Sequence, residues 1–148
     1  ASNNPGFFLG YHKDPEKTAE VVHDGWYHTG DLASRDADGY YRIAGRSDDC
    51  FKSRGIFISP YEIENVLRQH PAIAEACIVP LADAEIGNRI RAVCVLKDGT
   101  PTTEETSENI RQSVRSRIAP YKTPHIVEFM DALPKSPVGK VLRRELVS

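Results

Sequence analysis

The segment Leu133-Pro134-Lys135-Ser136-Pro137-Val138-Gly139-Lys140-Val141-Leu142-Arg143-Arg144 places a lysine directly after glycine on a turn-forming stretch. Such a setting carries a long-stemmed cation away from the body of a fold, toward whatever anion lies opposite. A phosphate loop of the GxxxxGK(S/T) type would need glycine at position 134 and serine or threonine at 141. Pro134 and Val141 stand there and exclude it. Any nucleotide must be held by other residues.

A second cluster supplies candidates. Gly25-Trp26-Tyr27-His28-Thr29-Gly30-Asp31 precedes Gly39-Tyr40-Tyr41-Arg42 and Gly45-Arg46-Ser47-Asp48-Asp49. Asp31 has the two acceptor oxygens that a ribose diol requires. Arg46 can add a contact to the same sugar or to phosphate. Taken singly, each has a plainer rival: an aspartate after glycine often caps its own turn, and an arginine after glycine forms a surface ion pair. Trp26 and the tyrosines fit packing at an interface better than a cofactor box.

The elements that must position these groups fall into two parts. Residues 1–47 carry the turn formers Pro5-Gly6, Asp14-Pro15, Asp24-Gly25 and Asp38-Gly39 between short pieces of strand. Asp36 to Gly39 predicts a hairpin connection between Asp31-Leu32-Ala33 and Tyr40-Tyr41-Arg42-Ile43. This part has too few apolar residues for a core of its own. It is expected to be the β-rich end piece of a larger domain, and the loop-like start at Ala1, without an initiator methionine, looks like a cut.

Residues 48–148 have the pattern of a compact domain. Phe51 to Ile58 predicts two short strands around Gly55. Ser59-Pro60-Tyr61-Glu62 predicts a helix start with Ser59 as N-cap, Pro60 in the first turn and Glu62 completing a capping box; Ile63, Val66 and Leu67 line its apolar face and Pro71 stops it. Ala72 to Leu81 and Arg89 to Leu96 read as buried strands joined by a polar loop from Ala82 to Asn88. A second helix runs from near Thr103 to Ile118, His125 to Met130 forms a short strand, and a helical turn follows Lys140. The fold class is α+β, a small three-stranded sheet with flanking helices.

With a formal net charge of −2 and 27% charged residues, the chain has no basic excess for nucleic acid. No apolar run approaches the roughly 18 residues of a membrane span. Cys50, Cys77 and Cys94 are odd in number and lack CxxC spacing, which predicts free thiols in a reducing, cytoplasmic setting. The five histidines lack HExxH spacing, so no protein-held metal is expected. The tail Arg143-Arg144 reads as a solvated helix end.

Together these motifs resemble the adenylate-forming superfamily of acyl-CoA synthetases, firefly luciferase and peptide-synthetase adenylation domains. The likeness runs from Gly10-Tyr11 with Pro15 and Thr18, through the Trp26 and Arg46 clusters, to the Lys140 loop. It implies that Asp31 binds the ribose hydroxyls of ATP and AMP, that Arg46 assists there, and that Asp48 is the hinge between a large N-terminal domain, missing here, and a mobile C-terminal one. It implies that Lys140 contacts the substrate carboxylate and α-phosphate while a carboxylic acid is activated as acyl-AMP, with Mg2+ arriving on ATP. It implies a second face, where Arg54 and Gly55 line the channel for the CoA thiol and Lys52 serves the later half-reaction, although a lysine on a hairpin also guards a strand edge. Phe57 stands where many relatives carry a polar residue; Gly55-Ile56-Phe57-Ile58-Ser59-Pro60 is similar to benzoate- and other aryl-CoA ligases. The resemblance leaves two alternatives: transfer to a carrier-protein thiol, and a non-catalytic interaction module. It also implies that the phosphate loop, the adenine site and the acyl pocket lie outside this chain, which alone is inactive.

Overall fold

The computed structural model describes residue 6 and residues 8–147, so Pro5 of the first expected turn lies outside it. The chain opens with a helix, α1 (Pro15–Val21). Asp14-Pro15 is therefore a helix start and not a turn between strands: Asp14 Oδ1 accepts from the Lys17 amide at 3.0 Å and Pro15 occupies the first turn. The same dipeptide suits a turn and an N-cap, and only continuation decides. Asp24 and Gly25, both with positive φ, then join the short strands β1 (Val22–His23) and β2 (Trp26–Tyr27). Asp-Gly is the pair such a hairpin turn favours.

The expected hairpin follows. β3 (Asp31–Arg35) pairs antiparallel with β4 (Tyr41–Arg46), and the register sets Asp31 opposite Arg46. Asp36 closes the turn, accepting from Gly39 N through its carbonyl and from Tyr40 N through Oδ1. No described residue before Gly45 is buried, and Trp26, Tyr40, Tyr41 and Ile43 all face solvent.

A second ribbon, β5 (Phe51–Ser53) and β6 (Ile56–Ile58), leads into α2 (Pro60–Leu67). The capping box does not form. Ser59 Oγ instead donates to Ala44 O at 2.6 Å, tying α2 to β4, and Glu62 pairs with Lys122 at 2.5 Å. The helix also ends before Pro71 is reached, with Arg68 at its C-cap.

The main sheet has the order β7 (Ile73–Asp83), β8 (Gly87–Leu96), β9 (Ile126–Phe129). The first two strands are antiparallel, and both are longer than the sequence pattern predicts. The loop shrinks to three residues because Asp83 Oδ1 accepts from the amides of Glu85 and Ile86. β9 is parallel to β8, reached through α3 (Glu104–Arg117), whose N-cap Thr103 accepts from Thr106 N.

Alternation along the strands divides the core in two. Ile78, Ile90, Ala92 and Cys94 pack against Ile63, Val66 and Leu67 of α2 and Ile110 and Val114 of α3. Cys77, Val79 and Val93 face the other way and are covered by Leu133, Val141 and Leu146 of the C-terminal segment. Both helices thus lie on one face of the sheet, and the lysine-bearing segment lies on the other. All three cysteines are free thiols; burial pushes Cys77 up to about 11 and Cys94 to about 12, so both stay protonated and inert at neutral pH. No helix among the described residues is long and apolar enough to cross a membrane.

His125 clips β9 to β8: its amide donates to Ile90 O at 2.8 Å, and its Nδ1 accepts from Ile90 N at 3.0 Å. Burial, with the nearby charges of Arg54, Arg89 and Arg111, pushes its pKa below the usual histidine value; Asp83 opposes weakly. A histidine depressed in the folded state contributes stability that is complete above its unfolded pKa of about 6.5 and is lost as pH falls below it. Thermal melts should therefore drop as pH falls below about 6.5, and His125→Asn should flatten that part of the profile. An unchanged slope in the variant would assign the acid sensitivity elsewhere.

Candidate nucleotide and hinge site

Antiparallel register does the first assembly step. Because Asp31 and Arg46 are cross-strand partners, their side chains converge, with Arg46 Nη1 3.3 Å from Asp31 Oδ1 and donating to Thr29 O at 2.7 Å. The same guanidinium grips Asp48, Nε to Oδ1 at 3.0 Å and Nη2 to Oδ2 at 3.2 Å. Gly30 permits this closeness: it has φ +75°, and a Cβ there would stand 2.8 Å from Arg46 Nη2. Ser47 closes the corner by donating to Gly30 O through both its amide and its hydroxyl.

The cluster is open to solvent, Arg46 at 43% and Asp31 at 41% side-chain exposure. Asp31 Oδ2 accepts no hydrogen bond among the described residues, which leaves it available to a diol. Arg46 has most of its N–H groups committed within the cluster, so its first effect is to set the direction of Asp31 and Asp48. Asp48 in turn raises the Arg46 guanidinium above its ordinary value. Hydrogen bonding from Arg46 holds the Asp48 carboxyl below its usual range against the opposing effect of burial, and the Lys140 charge adds to the lowering. Lys140 is thus near enough to Asp48 for its charge to be felt there.

Lys140 is exposed and its ammonium makes no ion pair or hydrogen bond among the described residues. The backbone holds its loop instead. Ser136 N donates to Lys140 O at 2.8 Å, Gly139 N to Ser136 O at 2.8 Å and Lys140 N to Ser136 Oγ at 3.1 Å. Lys135 bridges to Val141, and Leu142 N donates to Pro134 O at 2.8 Å.

The other candidates sit together on the β5–β6 ribbon. Lys52 and Phe57 are paired neighbours on β5 and β6, both exposed, with Arg54 and Gly55 at the turn between them. Gly55 has φ +76° and Arg54 φ +52°; a methyl at Gly55 would meet nothing within 4 Å, so backbone conformation alone accounts for glycine in the isolated domain. Arg54 N donates to Ile86 O, and Asn88 Nδ2 to Lys52 O, which fixes this turn beside the β7–β8 tip. Lys135, at the base of the lysine loop, pairs with Glu75 at 2.7 Å, near the start of β7. Glu75 lies eight residues before Asp83, the end of β7, which at about 3.3 Å per residue is on the order of 26 Å along that strand.

Arg143 is the residue that sequence reasoning misplaced. Far from being a solvated helix end, it makes a bidentate pair with Glu64, Nη1 to Oε1 at 2.6 Å and Nη2 to Oε2 at 2.9 Å. It also donates to Ile78 O at 2.8 Å and reaches Asp49 at 3.2 Å through Nε. Burial alone would lower its pKa, but the Glu64 contacts outweigh that and raise it. A signal was present: Glu64 sits between Ile63 and Val66 on the buried face of α2, where a carboxylate requires a partner.

The AMP-binding enzyme C-terminal domain family matches residues 62–140, and the chain belongs to it. It is 42% identical, over 95% of its length, to 4-hydroxybutyrate–CoA ligase 1 of Metallosphaera sedula. Among solved structures it resembles the anthranilate CoA ligase AuaEII in complex with anthranoyl-AMP (38% identity, 93% of this chain and 27% of that one, TM-score 0.85). It also resembles a benzoate CoA ligase from Burkholderia xenovorans LB400 (34% identity, 95% of this chain and 28% of that one, TM-score 0.82). The chain spans about a quarter of the length of the curated relatives it matches, 25% of the Metallosphaera enzyme.

Proposed function

We propose that this chain is the C-terminal part of a cytoplasmic, AMP-forming acid–thiol ligase. The longer enzyme activates a fatty or aryl carboxylic acid with Mg-ATP as acyl-AMP and passes the acyl group to CoA. Residues 1–47 end its large N-terminal domain, and residues 48–148 form the mobile one. The observation that carries this reading is the single guanidinium of Arg46, joined at once to Asp31 and Asp48, with Lys140 near enough for its charge to act on Asp48.

Each residue then has a task. Asp31 accepts the ribose hydroxyls, Arg46 orients it, and Asp48 is the pivot. Attack of a carboxylate on the α-phosphate brings negative charge against negative charge, so a movable cation is needed there; Lys140 supplies it. Two unit charges about 4 Å apart interact by about 4 kcal/mol in a partly screened site. Magnesium enters bound to the ATP phosphates and is not held by this chain. Rotation about Asp48 exchanges the Lys140 face for that of Lys52, Arg54 and Gly55, where the thiol arrives. The consecutive carboxylates support a pivot here, since Asp48 is bound by Arg46 of the first part and Asp49 by Arg143 of the second.

The test is a panel of carboxylic acids incubated with the longer enzyme, ATP, magnesium and CoA, with AMP release as the readout. Acid- and CoA-dependent AMP is expected. Release only with a phosphopantetheinylated carrier protein would replace CoA as acceptor, and no release with any acid would favour an interaction module.

A further inference from the structure

Among the described residues nothing holds the Lys140 tip, so its position is inherited from the base of its loop. The backbone bonds between Pro134 and Leu142 make that loop a small ladder that moves as a unit. Several contacts attach the ladder to the domain. Leu133, Val141 and Leu146 bury against the sheet, but apolar burial is non-directional. Lys135–Glu75 is an exposed ion pair, a weak restraint. Arg91 holds Leu146 O, beyond the far end of the loop. Arg143, three residues after Lys140, supplies the sheltered, directional contact nearer to that lysine.

Its fork is matched to Glu64, which is itself fixed because Oε1 accepts from Ile78 N at 2.8 Å. Nη1 also reaches Ile78 O, and Nε reaches Asp49, the neighbour of the pivot. One planar group therefore joins the root of the lysine loop to α2, to β7 and to the first residue after the pivot. We propose that Arg143, oriented by Glu64 and Asp49, is a positioning residue for adenylation, fixing where the Lys140 ammonium arrives when the domain closes. The proposal rests on the role assigned to Lys140 above. It does not make Arg143 catalytic, since its guanidinium is consumed within the domain.

Arg143→Lys in the longer enzyme tests it. Lysine keeps the charge and can still pair with Glu64, but loses the fork that fixes direction. Displacement of a reacting group by about 1 Å can cost about 100-fold, so kcat for adenylate formation should fall by about that factor, with the KM for ATP little changed. Thioester formation from preformed acyl-adenylate should continue at the parent rate. In a Lys140→Ala background, Arg143→Lys should add no further loss, because the ammonium it positions is gone. Asp49→Asn, a milder change at a more exposed contact, should shift the same half-reaction in the same direction and serves as the working variant if Arg143→Lys does not fold. Equal losses in both half-reactions, or a full additional loss in the Lys140→Ala background, would reduce Arg143 to a purely structural role. Adenylation unaffected by Lys140→Ala itself would overturn the role of Lys140, a failure readable apart from the first.

Discussion

Lys140→Ala in the longer enzyme should lower the rate of adenylate formation by about 100- to 1,000-fold, the range seen when a preorganised group that stabilises developing charge is removed. Thioester formation from preformed acyl-adenylate should survive. The expectation follows from the proposed division of labour: Lys140 is near enough for its charge to act on Asp48, while Arg54 and Lys52 are tied to the β7–β8 tip through Ile86 and Asn88. On that reading, a cation that serves adenylation has no part in thioester formation. Rapid-quench measurement of each half-reaction distinguishes this from a general loss of folding, which would depress both. Fold integrity is not at stake, because the Lys140 ammonium makes no contact that the domain depends on and the loop is closed by backbone and by Ser136.

Arg143→Ala should have the opposite profile, a large effect on stability. Removing the guanidinium strands Glu64, whose side chain is only 6% exposed, and leaves Ile78 O without that donor. Deleting one partner of a buried ion pair typically costs about 3 to 5 kcal/mol, because the remaining charge is uncompensated. Chemical denaturation of the domain should show that loss at neutral pH. Replacing both partners together, as Glu64→Met with Arg143→Met, should cost less, since no charge is stranded and what remains is the loss of the side-chain partners of Ile78 N and Ile78 O. A double variant as unstable as Arg143→Ala would mean that the fork, and not the stranded charge, supplies the stability.

The comparison with the sequence separates local from distant causes. The turn at Gly55, the hairpin through Asp36 to Gly39, the apolar stripes of α2 and α3 and the Lys140 loop follow from near neighbours in the chain, and they are found where the pattern places them. The convergence of Asp31 and Arg46 was not legible, because the register set by the turn would place Asp31 opposite Gly45, and a bulge between Leu32 and Ala33 shifts its partner to Arg46. Helix α1 was hidden because Asp14-Pro15 satisfies a turn and a cap equally, and the five exposed residues of its burial pattern offer no apolar stripe to decide. Ser59 differs for a related reason: its hydroxyl is turned to donate to Ala44 O, 15 residues earlier, and accepts nothing from the helix amides. Arg143 lies 79 residues from Glu64, and no spacing rule connects them.

The central claim is that the enzyme to which this chain belongs works through an acyl-adenylate. The most direct measurement is acid-dependent exchange of labelled pyrophosphate into ATP by the longer enzyme, without any thiol, using an acid that supports AMP release. The account predicts exchange that requires the acid and magnesium and that collapses in Lys140→Ala. ATP consumed to ADP and phosphate, with no pyrophosphate exchange, would contradict it.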